Sequence, residues 1–264
     1  MTGLYMGQAL GGFGAVIAAN SSWQLTFHSI GIIGVVYALV LVAFLREPRE
    51  PATLEEMKEK GSVFSGMKGL LGLLSFWVIF LYFSIPSIPG WAIKNWLPTL
   101  FSDHMHIEMS KAGPLATIST AVSSFIGVVI GGLLSDSWVQ RNVKGRIYTS
   151  AIGLSLTIPA LLFLGIGNSV FALLAAAFCF GIGFGMFDAN NMPILCQFVP
   201  REKRASAYGL MNLGGVFSGA LITDFLGKST DAGHLGRDFS LMSLVIVAAV
   251  VMLLALLKPK TSDL

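Results

Sequence analysis

Apolar residues along this chain come in long unbroken runs parted by short polar breaks, the pattern of segments that cross a bilayer. Eight runs are read, at about 3–20, 27–45, 72–99, 112–135, 147–166, 169–197, 205–227 and 239–257. The fourth shows the pattern plainly: Ile118 to Leu134 carries no charge, and the run stops at Asp136. A helix needs roughly 20 apolar residues to cross the hydrocarbon, so an all-α integral membrane protein is predicted. One break is long. Segment 46–69 interleaves Arg46, Arg49, Lys58, Lys60 and Lys68 with Glu47, Glu50, Glu55, Glu56 and Glu59, and marks the boundary between two bundles, 1–45 and 70–264. It reads equally as an interfacial helix or as a solvated linker.

Composition agrees with the pattern. The chain is 54% hydrophobic and only 12% charged, against about 25% charged in soluble domains. The placement of the charges says more than their sum. Arg46 to Lys68, then Arg141, Lys144 and Arg146, then Arg201, Lys203 and Arg204, then Lys258 and Lys260 all fall in alternate breaks, whereas the opposite breaks hold only Lys111, Lys228 and Arg237. Basic loops stay in the cytoplasm, so both chain ends are expected there, with the protein integral to the inner or plasma membrane. Cys179 and Cys196 share one apolar segment, about 25 Å apart along a helix, and cannot bridge each other. Met1 enters an apolar run at once, with no basic leader, so it is expected to sit inside a longer reading frame. Glycines at every fourth position (Gly3, Gly7 and Gly11; Gly127 and Gly131; Gly181 and Gly185; Gly215 and Gly219) predict smooth stripes for close helix packing, which could also slide.

The stretch Gly132-Leu133-Leu134-Ser135-Asp136 followed by Arg141, Lys144 and Arg146 resembles the loop motif of the major facilitator superfamily between the second and third helices of each six-helix half. Trp23 to Phe27 and Arg46-Glu47-Pro48 look like the ends of that family's sixth helix. Trp96-Leu97-Pro98-Thr99 looks like the outer end of its seventh, and Pro200 to Arg204 with Tyr208 to Gly215 is similar to its tenth-to-eleventh junction. The resemblance implies helices five to twelve of a twelve-helix transporter: residues 1–45 as the last two helices of the N-terminal bundle, 46–69 as the cytoplasmic linker, and 70–264 as a six-helix C-terminal bundle with its tail. The missing N-terminal helices would then be required partners. The finer likeness is to the anion:cation symporters and organophosphate antiporters. Three positions depart from it: Gln24 and Ser137 replace bases, and Gly90 stands where the antiporters carry a substrate-binding Arg, with Lys94 one turn further on.

Within the runs, few residues can do chemistry. Lys94 is the first candidate for an anion, since an ammonium in a span is costly unless it faces water, a partner or a ligand; the alternative is that it snorkels to the outer headgroups. Asp188 is the candidate proton acceptor, or else a structural hydrogen-bond acceptor. Counting residues along antiparallel helices separates Lys94 and Asp188 in depth by roughly 15 to 20 Å, so no pairing is expected. Asn95, Asn190, Asn191 and Asn212 offer amides for solute hydroxyls or for stapling helices, and Trp91 a ring for stacking. Gly132, Asp136, Arg141, Arg146 and Arg204 form the conformational loop motif. Asp136 is expected to accept hydrogen bonds from a helix N-terminus and to pair with Arg141 or Arg146, in one conformation only; the alternative, compatible with it, is a topology and folding signal.

No nucleophile with its base, no phosphate loop and no metal cluster is legible; His104 and His106 alternate across one residue in a poor pattern for a metal. No enzyme, cofactor or nucleic-acid role is predicted. The expectation is a secondary transporter moving a small polar, anionic solute such as a sugar acid by alternating access, with protons or another ion as coupling partner. The alternatives are a carrier of neutral sugars or hydrophobic compounds, or a truncated chain without transport of its own.

Overall fold

The computed structural model describes residues 2–45, 71–72, 74–167, 169–257 and 259; the linker read at 46–69 lies outside them. Among the described residues the chain is helical throughout: α1 (Thr2–Gly11), α2 (Gly14–Asn20), α3 (Trp23–Phe44), α4 (Leu74–Met105), α5 (Met109–Val139), α6 (Gly145–Ile166), α7 (Val170–Phe198), α8 (Arg204–Asp231) and α9 (Leu235–Leu256). Seven of these, α3 to α9, are long and apolar enough to cross a membrane. The chain is an integral membrane protein.

The first predicted run, 3–20, is two short helices rather than one. The break falls at Gly12 and Phe13, where Gly12 lies so close to α5 that a Cβ would collide with Thr117 and sit 3.1 Å from the Gly113 carbonyl. Two adjacent glycines favour helix least, so the chain yields there to its contact with α5. The third run is longer than expected. α4 continues through Pro98 to Met105, and passes Pro86 and Pro89 without interruption, as membrane helices allow when neighbours satisfy the freed backbone groups.

α7 is the centre of the bundle, packed between α5 and α6; α9 lies on α6, and α8 on α4. The α5–α7 seam is built on small residues. A Cβ at Gly131 would lie 2.6 Å from the Met186 Cα, one at Gly185 would strike the Ser124 carbonyl, and one at Gly127 the Ile182 carbonyl. Backbone against backbone is the contact that the small-residue spacing predicts. Gly3, Gly7 and Gly11 differ: nothing lies within 4 Å of a Cβ added at any of them. The core between α4, α6, α7 and α9 is filled by Phe76, Ile79, Leu100, Phe101, Leu154, Phe187 and Phe239, each 1% exposed or less. α1 rests on α5, and α2 on α3 and α5. None of the most apolar stretch of α3 is buried inside the molecule.

Candidate functional site

Four helices each turn one face toward a common cavity of about 250 Å³. α4 contributes Ser87, Gly90, Trp91 and Lys94, α7 contributes Phe184, Phe187 and Asp188, and α8 contributes Tyr208, Asn212 and Gly215, while Leu4 closes it from α1. Spacings of three and four place each set on a single helical face. Small residues make the room. A Cβ at Gly219 would lie 2.6 Å from the Trp91 ring, and one at Gly90 would lie 2.6 Å from the ring of Phe184. The glycine standing where a related branch carries Arg is therefore where an aromatic ring from α7 packs.

Lys94 lines this cavity and is itself exposed. Its Nζ lies 5.2 Å from the centroid of the Trp91 indole, within cation–π range. Among the described residues it forms no ion pair. Asp188 lies on the wall of the same cavity and is fully engaged from behind. The Tyr5 hydroxyl donates to its Oδ2 at 3.0 Å, and the Asn191 amide donates to its Oδ1 at 3.1 Å. Asn191 is itself set by Tyr82, whose hydroxyl lies 3.3 Å from its Oδ1 and 3.2 Å from Ser150 Oγ. A polar chain thus runs from α1 through α7 to α4 and α6.

As expected, Lys94 and Asp188 form no ion pair among the described residues, but they line one cavity although a large difference in depth was expected. Two causes combine. Because α4 runs on to Met105, Lys94 sits about 16 Å below its end instead of near it. In addition, Cα–Cβ bonds tilt toward a helix's own N-terminus, so on antiparallel helices the two side chains lean toward each other.

The other predicted residues divide. Trp91 and Asn212 line the cavity; one Asn212 N–H is taken by the Tyr208 carbonyl at 2.9 Å. Asn95 points elsewhere, donating to Thr223 Oγ1 at 2.8 Å on α8. Asn190 is fully buried, with its amide on the Met186 carbonyl at 2.9 Å. Asn191 acts on Asp188 from behind the wall. Sequence reading missed Tyr5 and Gln8. They sit three apart on α1 beside Lys94 in a narrow crevice, and Gln8 donates to Thr120 Oγ1 on α5 at 3.1 Å. The available signal was two polar side chains on one face of a glycine-rich apolar helix.

The loop motif forms a second cluster. Asp136 pairs with Arg146, Oδ1 to Nη2 at 3.5 Å, the acid 67% exposed and the base 11%. No bond from Asp136 to a helix N-terminus is present among the described residues; Arg146 occupies the first turn of α6 instead. An acid in the last turn of α5 and a base in the first turn of α6 each oppose their helix dipole, and pairing offsets both. Gly132 has open space before it, with nothing within 4 Å of an added Cβ, and Arg141 is exposed. Arg204 lies apart from the pair and donates to the Cys196 and Val199 carbonyls at 2.9 and 3.1 Å, closing the end of α7.

A membrane-embedded helical bundle with an ion-bearing polar cavity between its helices has the form of a solute carrier. The family model of the Major Facilitator Superfamily matches residues 1–223, and the chain belongs to that family. Among curated relatives, the "Citrate-proton symporter" of Klebsiella pneumoniae is 29% identical over 96 residues, 36% of this chain and 21% of that protein. The "Probable galactarate/D-glucarate transporter GarP" of Escherichia coli K12 is 29% identical over 130 residues, 47% of this chain and 28% of the relative. The matches thus span under a third of either relative. The fold is that of a bacterial homolog of the human lysosomal transporter Spinster, solved inward-facing and unoccupied. That match has a TM-score of 0.63 at 18% identity and covers 95% of this chain and 65% of the other.

Proposed function

We propose that the full-length protein is a secondary carrier of a small polar organic anion, a sugar acid or related carboxylate, working by alternating access. Lys94 carries this reading: an exposed ammonium on a membrane-spanning helix, lining a cavity, with an indole beside it and no ion-pair partner among the described residues. A carboxylate is the ligand that would complete such a site. The names of the citrate and galactarate/glucarate relatives support the same class. Asp188 is the proton acceptor in this scheme, Trp91 and Asn212 complete the ligand's surroundings, and Asp136 with Arg146 is a conformational latch. Residues 1–45, with α1 to α3, belong to an N-terminal bundle and residues 70–264 form the C-terminal one, with both chain ends cytoplasmic.

Thermal stabilisation of the full-length protein by sugar acids, sugar phosphates and neutral sugars tests the reading. A ligand at a hundred times its Kd stabilises by about 2.7 kcal/mol, a readily measured rise in Tm. Sugar acids are expected to raise Tm, and Lys94→Ala to remove the rise while leaving the unliganded Tm within a few degrees. Stabilisation by neutral sugars alone, or by acids equally in Lys94→Ala, would reject the anion reading.

A further inference from the structure

Resting on the reading of Asp188 as the proton acceptor, we propose that Tyr5 is its positioning residue, and that the phenol reverses its hydrogen bond when Asp188 takes up a proton, so that protonation loosens α1. The two donors on the carboxylate differ in kind. Asn191 donates to Oδ1 at 3.1 Å through an amide nitrogen, which can only donate. It is 2% exposed, and its own amide oxygen faces the Tyr82 hydroxyl at 3.3 Å. Tyr5 donates to Oδ2 at 3.0 Å through a hydroxyl, which can donate or accept by turning about its C–O bond.

This difference decides where a proton is best held. On Oδ1 it would leave the Asn191 N–H facing a poor acceptor, and a buried donor without a partner is costly. On Oδ2 it makes an acid O–H that donates to the phenol oxygen once the phenol has turned. The proton comes from water and stays on Asp188, and no bond within Tyr5 breaks. The turned phenol then needs an acceptor of its own. Tyr5 borders a crevice with Gln8, Thr120 and Ser124 that has room for about one water, and their oxygens, or the water, are acceptors of the required kind. The exchange also changes the hold on α1. A phenol donating to a carboxylate makes a charge-assisted bond, roughly twice as strong as the neutral one between acid and phenol. α1 is gripped while Asp188 is ionised and eased when it is protonated. Because coupling is reciprocal, parting α1 from α7 also favours the proton.

The other titratable groups facing this cluster among the described residues are Lys94 and Tyr82 on α4 and Tyr208 on α8; α5 and α6 present Ser124 and Ser150. Comparison with Asp188→Asn separates the titration of Asp188 from theirs. Melting of the full-length protein is to be followed at about pH 5.5 and about pH 8.5 for the wild type, Tyr5→Phe, Asp188→Asn and the double variant. Tyr5→Phe removes only the hydroxyl. The bond is strongest with Asp188 ionised, so its contribution falls as pH falls. The loss of Tm from Tyr5→Phe is expected to be about twice as large at the higher pH, and equal at both in the Asp188→Asn background. A tyrosine that merely packs would show no such dependence on Asp188. An equal loss at both pH values with Asp188 present overturns the proposal, and leaves Asp188 as the proton acceptor if the wild type and Asp188→Asn still differ in pH dependence. If those two do not differ, Asp188 does not titrate, and that reading fails together with this inference. Should Tyr5→Phe not fold, deuterium exchange of the α1 amides in the wild type, corrected for the intrinsic rate, decides the matter. It should be at least about threefold faster at the lower pH, a change absent from Asp188→Asn; exchange that does not vary with pH overturns the proposal.

Discussion

Asp188, on the cavity wall, depends on neighbours that do not line that space themselves. Tyr82 is wholly buried and holds the amide that holds Asp188. Tyr82→Phe should therefore lower stability by about 1 kcal/mol, the worth of a hydrogen bond, measurable by thermal melting. It should also weaken ligand binding, because an unset Asn191 no longer fixes the carboxylate. Asp136 offers the opposite case. Its side chain is 67% exposed, so Asp136→Asn should change stability by less than about 1 kcal/mol. If the pair with Arg146 biases one conformation, the same change slows uptake by proteoliposomes while equilibrium binding stays near normal; binding lost in parallel would point to damaged folding instead.

At the level of whole helices, the seam between α5 and α7 leaves no room for larger side chains at its glycines. Gly185→Val would drive a branched side chain into the Ser124 carbonyl, and the repacking should cost about 1–3 kcal/mol or more, seen as a lower Tm. Gly3→Ala should cost little by comparison, since the added methyl meets open space. The α5–α7 seam was legible because glycines four apart share one helical face, although the same spacing at Gly3, Gly7 and Gly11 meets open space. The spans α3 and α5 to α9 were legible for a similar reason, since apolar length is a strong signal. What failed is equally physical. Gly11-Gly12 looked like part of a run because composition alone does not show that α5 presses on it. The end of α4 was read too early because Pro98 and the polar residues after it resemble a stop, although a membrane helix tolerates both. That early stop carried Lys94 toward the end of its helix on paper and hid that it shares a cavity with Asp188. Tyr5 was illegible because the value of its hydroxyl depends on a residue 183 positions away.

Across the molecule, α1 is the element that bridges the parts. It touches Asp188 on α7 through Tyr5 and α5 through Gln8, so movement of α1 relative to α5 and α7 must break these contacts. Cysteines placed at Gln8 and Thr120, after replacement of Cys179 and Cys196, should be bridged by a short, reducible bis-thiol-reactive reagent, because the native side-chain tips meet at 3.1 Å. The bridged protein is expected to bind ligand but lose most of its uptake, with recovery on reduction. Full uptake in the bridged state would show that α1 and α5 travel as one body.

The hold of Tyr5 on Asp188 has a further consequence. One donor to the carboxylate, Asn191, belongs to α7 itself, and the other comes from α1. Parting of α1 from α7 would strip one hydrogen bond from a single carboxylate and leave the other in place. The stretching frequencies of a carboxylate depend on how many donors it accepts. Asp188 is thus a vibrational gauge built into the protein, and infrared difference spectra, with Asp188→Asn to assign the band, could follow the opening without any attached label.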